Sequence, residues 1–313
     1  MAVGVIRRVT GAGRNSLAVA FAAMILLAGG GVLAAERFIS LASTTSTENS
    51  GLFAHLLPQF TARSGIAVRV IAVGTGAALR LGARGDVDVV LVHARAAEDA
   101  FMAAGNGALR RDVMYNDFVV VGPRADPAGI RGGRHVGVAL SRILRTRNPF
   151  ASRGDNSGTH MAELSYWRAA GLEPQSGSGT WYLETGAGMG ATLNLAAARG
   201  AYALVDRATW LAFANRGNLA ILLEGDPRLH NPYGVMLVNP ARHAHVKRDD
   251  GLAFIRWLTG AAGQAAIAAF RIDGEQVFFP GAGKPQGALG ISRYRAASRP
   301  SRGRSWRGAM ESI

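Results

Sequence analysis

The chain of 313 residues contains no cysteine. Disulfides, thiolate metal sites, a cysteine nucleophile and the lipidated cysteine of a lipoprotein are therefore excluded. Acidic side chains are sparse, with 21 Asp and Glu against 35 Lys and Arg, a net charge of +14. The sequence also lacks a phosphate-binding Gly-x-x-x-x-Gly-Lys-Ser/Thr loop, a His-Glu-x-x-His zinc motif and a Gly-x-Ser-x-Gly nucleophile elbow. No internal repeat is visible, and there is no second long apolar run after the one near the start.

Much of the positive charge is terminal. Arg7, Arg8 and Arg14 precede an apolar run over residues 17–33, closed by Ala34 and Ala35. A charged start, an apolar middle and small residues at the end read as a secretory signal peptide over residues 1–35. Export, and a product that is not an integral membrane protein after cleavage, are the expectation. Residues 281–313 carry six net positive charges, the leader three, and the remainder five. The Arg-rich end reads as a disordered basic tail rather than a nucleic-acid-binding arm.

The remaining 245 or so residues alternate strand and helix patterns, which implies an α/β fold with parallel strands and right-handed crossovers. Residues 37–42 form a first strand that ends in Ser43, Thr44, Thr45, Ser46 and Thr47, before a helix with Leu52, Phe53, Leu56, Leu57 and Phe60 on one face. Residues 67–73 are a second strand, followed by Gly74-Thr75-Gly76 and another helix; residues 87–92 are a third strand, ending at His93. Hydroxyls thus recur where strands give way to helices, and open α/β sheets bind ligands there. Residues 118–123 and 235–239 read as further strands, and Asp206 as the cap of a helix over residues 207–214. His93 reads as a packed or supporting residue, and His243 and His245 as surface residues with no third metal ligand.

The densest chemistry lies in Ser152-Arg153-Gly154-Asp155-Asn156-Ser157-Gly158-Thr159-His160, ahead of a helix expected over residues 161–170. Arg153 offers a permanent planar fork of N–H donors. Ser157 and Thr159 add hydroxyls, Gly154 and Gly158 let backbone amides approach closely, and the helix contributes its N-terminal N–H groups. A fully ionised tetrahedral anion only accepts hydrogen bonds, so a donor-only set suits it. Asp155 would repel such a ligand, and is expected to orient Arg153 or cap the helix.

These pieces occur in a fixed order with Tyr115-Asn116-Asp117-Phe118-Val119 and Tyr182-Leu183-Glu184-Thr185-Gly186-Ala187-Gly188-Met189-Gly190. The ordered set resembles the tungstate-binding proteins of bacterial ABC uptake systems (the Tup type), over about residues 38–280. Ser43 departs from the threonine expected there but keeps the hydroxyl. The resemblance implies a periplasmic binding protein-like α/β fold, with two lobes joined by two crossover strands and a ligand cleft between them. Lobe I would take residues 36–117 and 234–280, and lobe II residues 118–233.

It also implies the ligand set Thr44, Thr45, Ser46, Thr75, Arg153, Ser157, Gly158 and Thr159, no cofactor and no bound metal other than the oxyanion itself. The partners implied are tungstate, or molybdate, and a membrane permease with its ATPase; the protein would be a periplasmic monomer without nucleic-acid binding. The Arg-x-Asp-x-Ser-Gly-Thr element is similar to one in phosphate-binding proteins, so another oxyanion is the alternative ligand. A secreted serine hydrolase built on Asp155, Ser157 and His160 is a further alternative, disfavoured because all three fall on one turn. A transcriptional regulator of the same fold is disfavoured by the export signal.

Overall fold

The computed structural model describes Met1 and residues 36–283; the signal-like segment through Ala35 and the basic segment from residue 284 lie outside the described residues. Residues 37–283 form one compact unit. Its elements run β1 (Phe38–Thr44), α1 (Thr45–Asn49), α2 (Leu52–Ser64), β2 (Ala67–Val73), α3 (Thr75–Arg84), β3 (Val89–Val92), α4 (Arg95–Ala103) and β4 (Gly107–Pro123). Then come α5 (Val136–Thr146), β5 (Phe150–Ser152), α6 (Gly158–Ala169), β6 (Tyr182–Glu184), α7 (Met189–Arg199), β7 (Ala203–Asp206) and α8 (Arg207–Ala212). The last elements are β8 (Leu219–Leu223), β9 (His230–Val238), α9 (Arg248–Thr259), α10 (Ala261–Ala269), β10 (Arg271–Ile272), β11 (Glu275–Gln276) and β12 (Phe279–Pro280).

The main sheet has the order β12-β4-β9-β3-β1-β2, with β7 and β8 also pairing to β4. β1 is parallel to β2 and β3, as the alternating pattern implies. The sheet is nevertheless mixed rather than parallel, because β9 runs antiparallel to both β3 and β4. All four residues of β3 are buried, since both faces of the sheet are covered. Leu91 and Val89 face Phe53, Phe60 and Phe254, whereas Val90 and Val92 face Ala78 and Phe101.

β4 is a shared strand. Its first part pairs with β9 from Gly107↔Val238 to Asp117↔His230. From Phe118 it pairs with β7 instead, and from Val120 also with β8. Alternate residues of this second part enter two cores. Phe118 and Val120 pack with Val136, Leu140, Ile143 and Trp167, while Val119 and Val121 pack with Met189, Leu193 and Ala196. Only its second part carries an apolar signal. Residues 107–117 include Arg110, Arg111 and Asp112, and the inward Arg110 is held by the buried Glu98 at 2.7 Å. A charge with a partner can lie in a strand whose hydropathy hides it.

α6 begins at Gly158, three residues earlier than the pattern implies, which places Gly158 and Thr159 in its first turn. β9 likewise begins at His230 rather than residue 235. Asp206 caps α8 as expected, accepting from Thr209 N at 3.0 Å.

Candidate functional site

Three turns meet at the carboxyl ends of the strands. Thr44 closes β1 and is the N-cap of α1, its hydroxyl 2.7 Å from Thr47 Oγ1 and 3.1 Å from Ser46 Oγ. Thr45, half-buried, is the first residue of that helix. Thr75 opens α3 and is fully buried. Arg153, Ser157, Gly158 and Thr159 follow β5 and are all buried.

The contact point is Gly158. A methyl group on its Cα would lie 2.9 Å from His93 Cε1, 3.0 Å from Thr75 Oγ1 and 3.1 Å from His93 Nε2. Only a residue without Cβ allows these turns to touch here. Gly154 has the same importance on the other side, with φ +60° and a notional Cβ 3.0 Å from Glu184 Cβ. Thr185 supports this turn from beneath, donating to the carbonyls of Ser152 and Arg153, each at 3.2 Å.

Several candidate groups already have work within the protein. Ser157 caps α6, accepting from His160 N at 3.2 Å. Asp155 holds the Arg153 guanidinium at 2.5 Å through Oδ2 and accepts from Ser157 N at 3.1 Å through Oδ1. It thereby turns both oxygens toward protein donors. Other groups have no such work. Arg153 Nε, Thr75 Oγ1 and Thr159 Oγ1 are buried with no hydrogen-bond partner among the described residues. An unmet buried donor costs roughly 1–3 kcal/mol. Three such donors on turns that meet at Gly158 are a pattern that stable cores avoid.

A hydrogen-bond chain runs beside these donors, and its direction can be deduced. The Asp206 carboxylate accepts from Thr209 N at 3.0 Å, from Thr209 Oγ1 at 2.5 Å and from Asn116 Nδ2 at 3.2 Å. Asn116 must then offer its carbonyl oxygen to Asn231, whose Nδ2 donates across 2.6 Å. Asn231 in turn presents Oδ1 to His93 Nδ1 at 3.0 Å, so Nδ1 carries the hydrogen. Burial, chiefly, and the charge of Arg153 lower the His93 pKa to about 4, against the opposing Asn231 hydrogen bond. Neutral His93 therefore has an acceptor at Nε2, which receives the Ser46 hydroxyl at 3.3 Å. Ser46 can donate to a ligand only by turning its hydrogen away from His93.

Behind the Arg153 turn, Glu163 is buried on α6. It accepts from Tyr182 OH at 2.7 Å, Ser152 Oγ at 2.9 Å and Trp167 Nε1 at 3.2 Å. Burial raises its pKa to about 7. Burial also raises the Asp206 carboxyl pKa and lowers that of His160.

The sequence placed these hydroxyls and Arg153 in separate turns, and the fold brings those turns together. It did not single out Asn231, which precedes the apolar part of β9. Asn116 lies in the Tyr115–Val119 motif with no role evident from sequence, and the buried His93 packs as the supporting residue its position implies. Groups of three or more His, Asp or Glu placed to hold a metal are absent among the described residues. His243 and His245 instead meet the carbonyls of Ala83 and Gly85.

A mixed α/β fold with converging donors at its strand ends is that of solute-binding proteins, and the PBP superfamily domain matches residues 34–262. The tungstate-binding protein TupA of Peptoclostridium acidaminophilum is 42% identical over 254 residues, covering 80% of this chain and 88% of that protein. The structure of the tungstate-binding protein TupA from Desulfovibrio alaskensis G20 aligns with TM-score 0.69 and 45% identity, covering 79% of this chain and 99% of its own. That of the tungstate ABC transporter from Geobacter sulfurreducens aligns with TM-score 0.69 and 48% identity, covering 75% and 100%. The chain belongs to the TupA family within the periplasmic binding protein superfamily.

Proposed function

We propose that this protein captures tungstate in the periplasm as the soluble, monomeric component of an ABC uptake system. It closes two lobes around the anion and hands it to a membrane permease driven by an ATPase. The observation that carries the reading is the trio Arg153 Nε, Thr75 Oγ1 and Thr159 Oγ1, buried and without a partner among the described residues, on turns that meet at Gly158. A tetrahedral dianion would satisfy all three at once. The Ser157 hydroxyl, the Gly158 amide and the first turn at Thr44, Thr45 and Ser46 complete the proposed ligand set. Hydrogen bonds to charged groups contribute roughly 1.5–3 kcal/mol each. Nanomolar binding needs about 12 kcal/mol, and the excess offsets dehydration and closure.

Binding without turnover is favoured by the hydrogen bonds of the triad residue types. Asp155 is held by Arg153 and Ser157 N, while His160 Nδ1 accepts from Asn156 N at 3.1 Å. With Nδ1 accepting, neutral His160 carries its hydrogen on Nε2, so neither ring nitrogen is free to take the Ser157 proton. Calorimetric titration of the chain from Glu36 with tungstate, molybdate, sulfate and phosphate tests the reading. Tight 1:1 tungstate binding with weak sulfate and phosphate is expected. Preference for phosphate would reassign the ligand, and no heat with any anion would overturn the reading.

A further inference from the structure

Residues 36–283 hold 25 Lys and Arg against 20 Asp and Glu, a net of +5. The segment over residues 124–147 alone holds six arginines and one aspartate, also a net of +5. The rest of the described molecule is therefore electrically balanced, and its whole excess charge sits in 24 residues. All six arginines, at 124, 131, 134, 142, 145 and 147, are exposed.

The structure makes this a surface rather than a mere run of sequence. Arg131 donates to the carbonyl of Arg124 at 2.8 Å, and Arg142 donates to that of Gly129, which pins the loop over residues 124–133 against α5. On α5, Val138, Arg142 and Arg145 follow the i, i+4, i+7 spacing of one face. The opposite face, with Val136, Ala139, Leu140 and Ile143, is spent in the core. Val138 is 53% exposed, an apolar side chain among cations. The one aspartate, Asp126, does not neutralise them. Its oxygens accept from the amides of Ile130 and Arg131 and from Tyr202 OH.

We propose that this arginine face docks on an acidic periplasmic surface of the membrane permease; this rests on the transport reading above. Three features favour a protein surface over lipid. The excess charge is entirely arginine, whose fork meets carboxylates in pairs. The exposed Val138 supplies a small apolar centre with a charged rim, as protein interfaces do. And α5 has no second apolar face to insert into a bilayer, because its only one is buried. Charge of one sign on one side also orients the protein as it approaches its partner.

The test uses the mature chain with its permease and ATPase in nanodiscs of neutral lipid, reading tungstate-stimulated ATP hydrolysis. R142E/R145E should raise the concentration of binding protein needed for half-maximal stimulation at least tenfold, leaving the calorimetric tungstate Kd within twofold. R63E/R199E, an equal change of charge at two exposed arginines elsewhere, should change neither. Raising NaCl should weaken the wild type and scarcely affect R142E/R145E. Wild-type stimulation by R142E/R145E would overturn the proposal. So would capture of the wild type, but not R142E/R145E, by transporter-free vesicles of phosphatidylglycerol, which would assign the face to the membrane. Failure of the wild type to bind tungstate would instead remove the transport reading, and this proposal with it.

Discussion

His93 Nδ1 lies 3.0 Å from Asn231 Oδ1, at the far end of a chain whose polarity is set by the Asp206 carboxylate. The expected result is a neutral His93 with its hydrogen on Nδ1, read from its ring 15N shifts at pH 7. Asn231→Leu should move the hydrogen toward Nε2, whereas a purely packing role for Asn231 would leave the tautomer unchanged.

Arg153→Ala should weaken tungstate binding a hundredfold or more, because a charged donor and its orienting partner Asp155 both change. Arg153→Lys should cost at least tenfold, since a point charge does not replace the planar fork. Calorimetry measures both. Near-native affinity in the two variants would remove Arg153 from the site.

Thr75→Val and Thr159→Val should separate stability from binding. Each replaces a buried hydroxyl that lacks a partner among the described residues with a methyl of similar shape. Unliganded stability should hold or rise, by up to about 1–3 kcal/mol, while tungstate affinity falls at least tenfold. Urea unfolding and titration on the same samples give both quantities. A loss of stability with unchanged affinity would show that these hydroxyls serve the fold.

Two buried groups should impose opposite pH slopes. His93 has its pKa lowered to about 4, so the unfolded chain takes up its proton first as pH falls. Its contribution to stability is lost from about pH 6.5 down to about 4. Glu163 has its pKa raised to about 7, so the folded chain keeps a proton that the unfolded chain releases. Its contribution is lost as pH rises from about 4.5 to 7. Relative to wild type, Glu163→Gln should therefore gain stability progressively over that rise, and His93→Asn should gain it as pH falls toward 4. Urea midpoints across pH 4–7.5 read these differences, and parallel profiles would contradict both assignments.

The sequence revealed strand-to-helix turns because hydroxyls and glycines interrupt clear apolar periods there, as at Ser43 to Thr47 and Gly74 to Gly76. Arg153 to Thr159 stood out through its density of donors. The first part of β4 stayed hidden because Arg110, Arg111 and Asp112 break its hydropathy, and the inward arginine is explained by its pairing with Glu98 on α4 and with Asp112. Asn231 stayed hidden for a related reason. Its significance lies in contacts with Asn116 and His93, more than a hundred residues away, rather than in its neighbours. The mixed sense of the sheet also depends on a long-range pairing, that of β9 with β3 and β4.

β4 hydrogen-bonds to β9 along its first part and to β7 and β8 along its second, without a break at Asp117. Neither part of the sheet can melt and leave the other's edge intact, because the same strand would be pulled from both. Unfolding is thereby made cooperative across the molecule, and a small anion held at one place can protect amides throughout it from solvent exchange.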